Sequence, residues 1–485
     1  MTDTALTQTH DLVVVGGGPG GYAAALYGAS AGLDVAVVEK HKVGGTCLHV
    51  GCIPAKELLE AASVYRTVSR AAEFGVAAGE PSLDWSAVLA RKQQVIDKMM
   101  SGLSSLLGQR KVTVYAGVGS LAGAGAVLVS VEQEPRQDST QNVTQPATQT
   151  LSADAIVVAA GSVPRTIGGF DVDGELVVTS DELFQINRLP QSAAVIGGGA
   201  IGCEFASMLG DLGVKVTVLE ALPSILAGCD SEVASTVRRS FRKRGINVHT
   251  DVAVHGHEPR PDRSGTVVRF GEGKHVDVEM VVVAVGRRPR TEALGLEDAG
   301  VEIDERGFVT VDERCRTTAP GVWAVGDVVN SPQLAHTAFA EGMLAVRDIK
   351  GEPAEPIDYH GTPWCIYSHP EVAFAGHTEQ SAVEAGFEVV TSVHRFMANG
   401  RAQILGETEG LVKVIAEKQP DGTGGRILGV HMAGPWVTEQ LGQAYLAVNW
   451  EATVSEVAGL IQPHPTMSEL FGETVLSLTG RSLHG

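Results

Sequence analysis

The sequence predicts an α/β protein with two Rossmann-like dinucleotide-binding domains and a separate α+β domain at the C-terminus. Three observations carry this reading. The chain has 485 residues, room for about three domains. Glycine makes up 58 of those residues, about 12% against a usual value near 7%, with no collagen-like period. An internal repeat then shows where much of that glycine is needed.

The first copy of the repeat reads DLVVVGGGPGGYAAALYGASAGLDVAVVEK and the second SAAVIGGGAIGCEFASMLGDLGVKVTVLE. In each, a short apolar strand enters a glycine turn, a small-residue helix follows, and a second apolar strand ends in an acid. Gly16 to Glu39 and Gly197 to Glu220 are both 23 positions apart. In Gly16-x-Gly18-x-x-Gly21 the first glycine permits the turn, the second admits a pyrophosphate, and the third lets the helix pack on the strand. The helix N-terminus then faces the phosphates, and Glu39 can accept ribose hydroxyl protons. Gly197, Gly199, Gly202 and Glu220 repeat every part, so two dinucleotides are expected, as in an enzyme that passes electrons between them. Glu220 would repel a 2′-phosphate, and no Lys or Arg occurs from Ala221 to Val237. NAD is therefore expected rather than NADP.

The remaining elements follow in chain order. Residues 83–108 place Val88, Val95, Met99, Leu103 and Leu106 at helical spacing behind Ser82 and Asp84 as caps, which predicts a packed helix. Gln133–Thr150 is rich in Gln, Thr, Ser and Pro and reads as a solvated loop, its Asn142-Val-Thr144 sequon a chance match. Ala155–Gly161 and Met280–Gly286 echo each other as buried strands, each returning to its own sheet. After about residue 357 the pattern changes to shorter strands and helices, which marks the third domain.

Composition excludes several classes. Lys and Arg total 37 against 57 Asp and Glu, a net charge of −20, so nucleic-acid binding through a basic surface is not expected. The charge-free run Leu12–Leu33 could span a bilayer by length, but the glycine turn inside it would leave backbone groups unsatisfied in lipid. The polar N-terminus, with no arginine before Arg66, argues against an attached signal or transit peptide. Six cysteines are too few for a secreted disulfide scaffold. A cytoplasmic protein that does not act at a membrane is expected.

The third motif is GGTCLHVGCIPAK, residues 44–56. Cys47 and Cys52 do not have zinc-site spacing, and no second pair follows nearby, so no metal is expected. A redox-active pair fits better, because a thiolate at a helix start or beside a cation is stabilised and reactive. Cys203, Cys229, Cys315 and Cys365 are isolated and read as ordinary buried or half-buried thiols.

At these residues the chain resembles the FAD-dependent pyridine nucleotide–disulfide oxidoreductases. AAGSVPR (159–165), VGRRPRTEALGLEDAGV (285–301), WAVGDVVNSPQLAHTAFAEG (323–342), SHPEVAFAGHTE (368–379) and QPHPTMSE (462–469) are similar to further family segments in the family's order. The resemblance implies an FAD domain (1–165 and 286–357), an NAD domain (166–285) and an interface domain (358–485). It implies that Cys47 exchanges with substrate and that Cys52, disulfide-bonded to it, faces the flavin. Lys56 and Glu204 would form an ion pair beside the flavin, and Asp327 would hold its ribityl chain. Gly161 and Ala335 would also contact FAD, and Gly286 NAD. His464 and Glu469 would be an acid–base dyad supplied by the partner subunit of a homodimer. The implied reaction is oxidation of dihydrolipoamide on a lipoyl domain, within a 2-oxo acid dehydrogenase complex whose core subunit is the partner. A reductase of a low-molecular-weight disulfide is the alternative enzyme, and a non-catalytic FAD/NAD sensor the alternative class. His49 stands where the family has Asn, Ala55 where it has Ser, and Gln462-Pro463 where it has His-Ala. Residues 358–485 carry 14 acidic and 6 basic residues, so an acidic face for a basic partner is expected.

Overall fold

The computed structural model describes residues 8–123, 125–130 and 148–484. These divide into two compact units: Met1–Pro54 with Leu89–Pro164 and Arg287–Tyr359, and Ala55–Val88 with Arg165–Gly286 and His360–Gly485.

The first unit is built on one sheet. Strand Gln8–Val15 lies at its centre, parallel to Val35–Glu39 on one side and to Thr148–Val158 on the other. The sequence explains the centre: DLVVV is apolar on both faces, as a strand covered on both sides must be. Leu12 and Val14 join a core with Ala24, Ala25 and Leu344, while Val13 and Val15 join another with Val127, Ile156 and Val322. Thr148–Val158 pairs antiparallel with Ala126–Ser130 along its first half and parallel with Val322–Ala324 at its end. The expected buried strand at 155–161 is thus the close of a longer one. The expected loop is shorter than Gln133–Thr150, because Thr148 to Thr150 already pair with Leu128 to Ser130. Its other residues, including the sequon, lie outside the described residues.

The second unit holds the second copy of the repeat. Ser192–Ile196 lies between Lys215–Leu219 and Met280–Val283 in a parallel five-stranded sheet, so the 280–286 strand does return to its own sheet. An antiparallel sheet of Trp364–Ile366, Glu371–Gly376, Gly424–Gly434, Leu411–Lys418 and Val389–Arg395 follows, packed by Val437–Asn449 and Glu469–Ser477. This is the expected α+β region, with one correction: its strands reach 8 and 11 residues.

The 83–108 helix runs Trp85–Gln109, and Asp84 accepts from Ala87 N–H at its start. Its buried line is Trp85, Lys92, Ile96 and Leu107, whereas Met99 and Leu106 are exposed. The expected stripe was therefore rotated by about one residue, because the apolar arc is wider than the face that packs.

Candidate active site

The two glycine turns are nearly superposable in conformation. Gly16 and Gly197 have φ of +106° and +107°, and a Cβ on either would lie 2.3 Å from a backbone oxygen, of Ala159 or of Ala284. A Cβ on Gly21 would meet Gly16 O at 1.8 Å, and one on Gly202 would meet Gly197 O at 2.0 Å. The first and third glycines are thus required by the protein's own packing. The middle ones are not: Gly199 has nothing within 4 Å, and Gly18 only Gly45 Cα at 3.8 Å. Gly18 and Gly199 are the N-caps of Pro19–Ser30 and Ala200–Asp211, and no side chain caps either helix. Each turn therefore keeps open space in front of a helix N-terminus, the arrangement a pyrophosphate needs.

Both acids are engaged by backbone. Glu39 accepts from Gly17 N–H (2.7 Å) and His41 N–H (2.9 Å). Glu220 accepts from Gly198 N–H and Leu222 N–H. A carboxylate has about four acceptor positions, so each acid retains capacity for ribose hydroxyls.

The flavin-side candidates fall within the first unit. Asp327 sits in a short turn beginning at Gly326, whose φ is +76°, and accepts from Ser162 Oγ. Arg287 Nε donates to the same hydroxyl at 2.7 Å. The buried Glu341 fixes this turn, accepting from Gly326 N–H (2.6 Å) and from Tyr359 OH (2.9 Å). Nearby in sequence, Gln333 Nε2 and Thr337 Oγ1 are buried without a hydrogen-bond partner among the described residues, just before and just inside the start of Ala335–Ile349. Orphaned buried groups beside a cradle are the signature of a ligand-sized polar demand, and these residues fit FAD. Gly161 and Gly286 have positive φ, +71° and +101°, where the chain leaves its strand.

Gly44 and Gly45 bring the cysteine segment to the first turn. Gly44 N–H donates to Gly17 O, and a Cβ on Gly45 would strike Gly18 Cα at 2.5 Å. Cys47 lies in the short helix Gly45–Val50, and Cys52 opens the helix Cys52–Ser69, where the helix terminus favours a thiolate. His49 Nε2 donates to Val43 O at 2.9 Å, so the departure from Asn packs locally. Tyr22 is pushed up to about 12, by burial first and then by Cys47 and Cys52. It also lines an open cavity of about 510 Å³ with Leu26, Tyr27, Leu106, Phe339 and Met343.

In the second unit, Lys56 Nζ lies 2.8 Å from both oxygens of Glu204 and 4.8 Å above the Tyr367 ring. Glu204, 5% exposed, also accepts from Tyr367 N–H. His464 Nδ1 is 2.9 Å from Glu469 Oε2, with the histidine 74% exposed and the glutamate 14%. The His464–Pro465 bond is cis.

The other four cysteines are as expected: three buried and Cys365 partly buried. Burial pushes Cys229 up to about 12 and Cys365 up to about 11. It also raises Cys203 and Cys315, so none competes as a thiolate. Sequence reasoning missed Tyr22, Ser162, Arg287, Glu341 and Asn399. A carboxylate in the apolar run AFAEG was a signal for Glu341; the others carried none.

Residues 10–342 match the family described as pyridine nucleotide-disulphide oxidoreductase, and residues 362–475 match its dimerisation domain. The chain belongs to that family. It is 41% identical to a dihydrolipoyl dehydrogenase of Bacillus subtilis over 99% of this chain and 100% of the relative. A dihydrolipoyl dehydrogenase of Thermus scotoductus is 39% identical over 98% and 99%. Among solved structures, LpdA of Mycobacterium tuberculosis superposes with a TM-score of 0.87 at 25% identity, covering 97% of this chain and 100% of that one. The HOCl-induced flavoprotein disulfide reductase RclA of Escherichia coli gives 0.82 at 26%, over 96% and 99%.

Proposed function

We propose that this chain is a dihydrolipoyl dehydrogenase, oxidising dihydrolipoamide to lipoamide with FAD and reducing NAD⁺ to NADH. The observation that carries the substrate class is the cavity beside Tyr22. Its lining is apolar and aromatic, with Arg110 as the only charged residue among those described. An uncharged aliphatic arm bearing a dithiol fits such a lining, whereas a disulfide carrying several carboxylates would find one cation.

The residues act as follows. A substrate thiol gives its proton to His464 of a partner subunit, and the thiolate attacks Cys47 Sγ. The Cys47–Cys52 bond breaks and Cys52 leaves as a thiolate at its helix N-terminus. The second substrate sulfur then displaces Cys47, closing lipoamide, and its proton passes to the departing Cys47, which leaves as a thiol while His464 keeps the first proton. Glu469 holds the His464 tautomer and stabilises the imidazolium. Lys56, held by Glu204, supplies positive charge one helical turn from Cys52. FAD, which the first glycine turn, Glu39 and Asp327 would hold, would supply the acceptor for the cysteine pair's electrons, and NAD, which the second glycine turn and Glu220 would hold, would supply the final hydride acceptor.

The homodimer rests on the dimerisation-domain match and on exposure: Leu460 and Ile461, immediately before the dyad, are 63% and 98% exposed. The partner chemistry is a lipoyl domain and the core subunit of a 2-oxo acid dehydrogenase complex, met through the acidic C-terminal region. The compartment is the cytoplasm. No helix among the described residues is long and apolar enough to cross a membrane. The FAD domain comprises 1–165 and 286–357, the NAD domain 166–285 and the interface domain 358–485.

The test is steady-state turnover of the flavin-loaded protein with dihydrolipoamide, competing disulfides and both nicotinamide nucleotides. NAD-linked oxidation of dihydrolipoamide is expected, with His464→Gln lowering it roughly a hundredfold or more while flavin stays bound. Turnover of another disulfide with none of dihydrolipoamide would overturn the reading.

A further inference from the structure

The dyad has a third member in the structure. Asn399 lies 70 residues before Glu469 in sequence and is 3% exposed. Its side-chain amide is used at both ends. Nδ2 donates to Thr466 O at 2.9 Å and to Glu469 Oε1 at 3.2 Å. Oδ1 accepts from Ala402 N–H at 2.9 Å, capping the helix Gly400–Leu405.

The chemistry of the neighbours fixes which end is which. A backbone N–H can only donate, so it must face Oδ1; a carbonyl and a carboxylate can only accept, so they must face Nδ2. Asn399 therefore cannot flip without losing all three bonds in a buried place.

We infer that Asn399 is the positioning residue of the acid–base dyad, fixing the plane of the Glu469 carboxylate so that Oε2 is aimed at His464 Nδ1. The two oxygens of Glu469 are held from opposite sides: Oε1 by Asn399 and Oε2 by the imidazole. A carboxylate pinned at one oxygen can still swing about its Cγ–Cδ bond, whereas one pinned at both cannot. The second Nδ2 bond, to Thr466 O, fastens the loop between the two dyad residues. That loop is tied again by Thr466 Oγ1 to Glu469 N–H and by Gln443 Nε2 to Ser468 O. His464 Nδ1 is hydrogen-bonded to Glu469 and the other oxygen of Glu469 to Asn399, so orientation passes from Asn399 through the carboxylate to the imidazole. The other charged side chains around the cavity at this loop are Arg401 and Glu439. Neither has a hydrogen bond to the dyad among those of the described residues.

This inference rests on the reading of His464 and Glu469 as the acid–base pair. Asn399→Ser separates orientation from folding, because serine is an equally good N-cap but is too short to reach Glu469. With flavin-loaded homogeneous protein, kcat for dihydrolipoamide is expected to fall about tenfold or more. The acid limb of its pH–rate profile should move to lower pH, since the imidazolium loses an aligned carboxylate. NADH oxidation by an artificial acceptor, which bypasses the dithiol, should stay at its original rate. Asn399→Asp, which keeps the cap and sets a second carboxylate against Glu469, should reduce dithiol turnover further. Unchanged rate and pH profile in Asn399→Ser would overturn the role. So would an equal loss of the artificial-acceptor activity, which marks a structural residue. If His464→Gln leaves dithiol oxidation intact, the dyad reading itself fails, an outcome the Asn399 variants alone cannot produce.

Discussion

Glu220 is 9% exposed, and its two oxygens accept from the backbone of Gly198 and Leu222. The carboxylate thus braces the turn and also stands where a ribose would be read. Glu220→Ala removes a charged acceptor and leaves two N–H groups without it. Hydrogen bonds to charged groups are worth about 1.5–3 kcal/mol each, so KM for NAD should rise roughly tenfold or more. Discrimination against NADP should narrow, because the repulsion of a 2′-phosphate is gone. The ratio of kcat/KM for the two nucleotides measures this, and an unchanged ratio would remove Glu220 from nucleotide choice. At this scale, legibility followed local spacing. The glycines and acids of both turns were readable because turn, helix and acid lie within one short stretch. Asn399 was not, since its partner is distant in sequence and Asn-Gly reads as nothing more than a turn or cap. Ser162 and Arg287 were hidden for the same reason: they meet only through the short antiparallel pairing of 162–164 with 287–289.

Among the elements, the strands of both repeats were legible because each is an uninterrupted apolar run. Leu411–Lys418 was not, because Lys413 breaks its run. That lysine is 2% exposed and lies 2.6 Å from Glu379 and 3.1 Å from Asp230, so paired charge sits where the pattern demands an apolar residue. The helix Trp85–Gln109 was legible in extent but not in facing. Its exposed Leu106 lines the cavity with Tyr22 and Phe339, so part of the apolar arc faces that groove and not the core, and the proposed function makes it a substrate contact. Leu106→Glu tests that assignment. The residue is already 39% exposed, so stability should change by less than about 1 kcal/mol. A charge in an apolar groove should raise KM for dihydrolipoamide about tenfold, on the 1–3 kcal/mol scale of a pocket contact. KM for NAD should not move. Equal KM for dihydrolipoamide in the two proteins would detach the groove from substrate binding.

For the whole molecule, the charge of −20 suggests a protein that tolerates acid poorly, but its buried and half-buried histidines bear on the slope. Burial holds His369 down to about 2, with Arg66, Arg244 and Arg70 adding repulsion. Glu407 is 3.8 Å from its ring, too far for a hydrogen bond to compensate. His431 is lowered to about 4 by burial. Its Nε2 bonds His377 O and its Nδ1 accepts from Asp230 N–H, so a second proton has no acceptor. His249 and His394 are lowered by burial as well. A histidine whose folded pKa is depressed lets the unfolded chain bind protons first as pH falls through about 6.5. Stability is therefore complete above that pH and is lost below it, at up to about 1.4 kcal/mol per pH unit for each such group. Glu341 and Glu371, raised by burial, work in the opposite sense. The folded state binds their protons first, which offsets part of the loss. The net slope mixes these groups, so the decisive comparison is a variant that removes one of them. Gln is neutral at every pH, and among the described residues the His369 side chain makes no hydrogen bond that Gln must replace. Urea midpoints of the wild type should fall steadily from pH 7 to pH 5. In His369→Gln the dependence should be shallower by about one proton, or up to about 2 kcal/mol of stability at pH 5. Parallel curves for the two proteins would mean that His369 takes up its proton in the folded state, and that burial beside three guanidinium groups is not enough to hold it neutral.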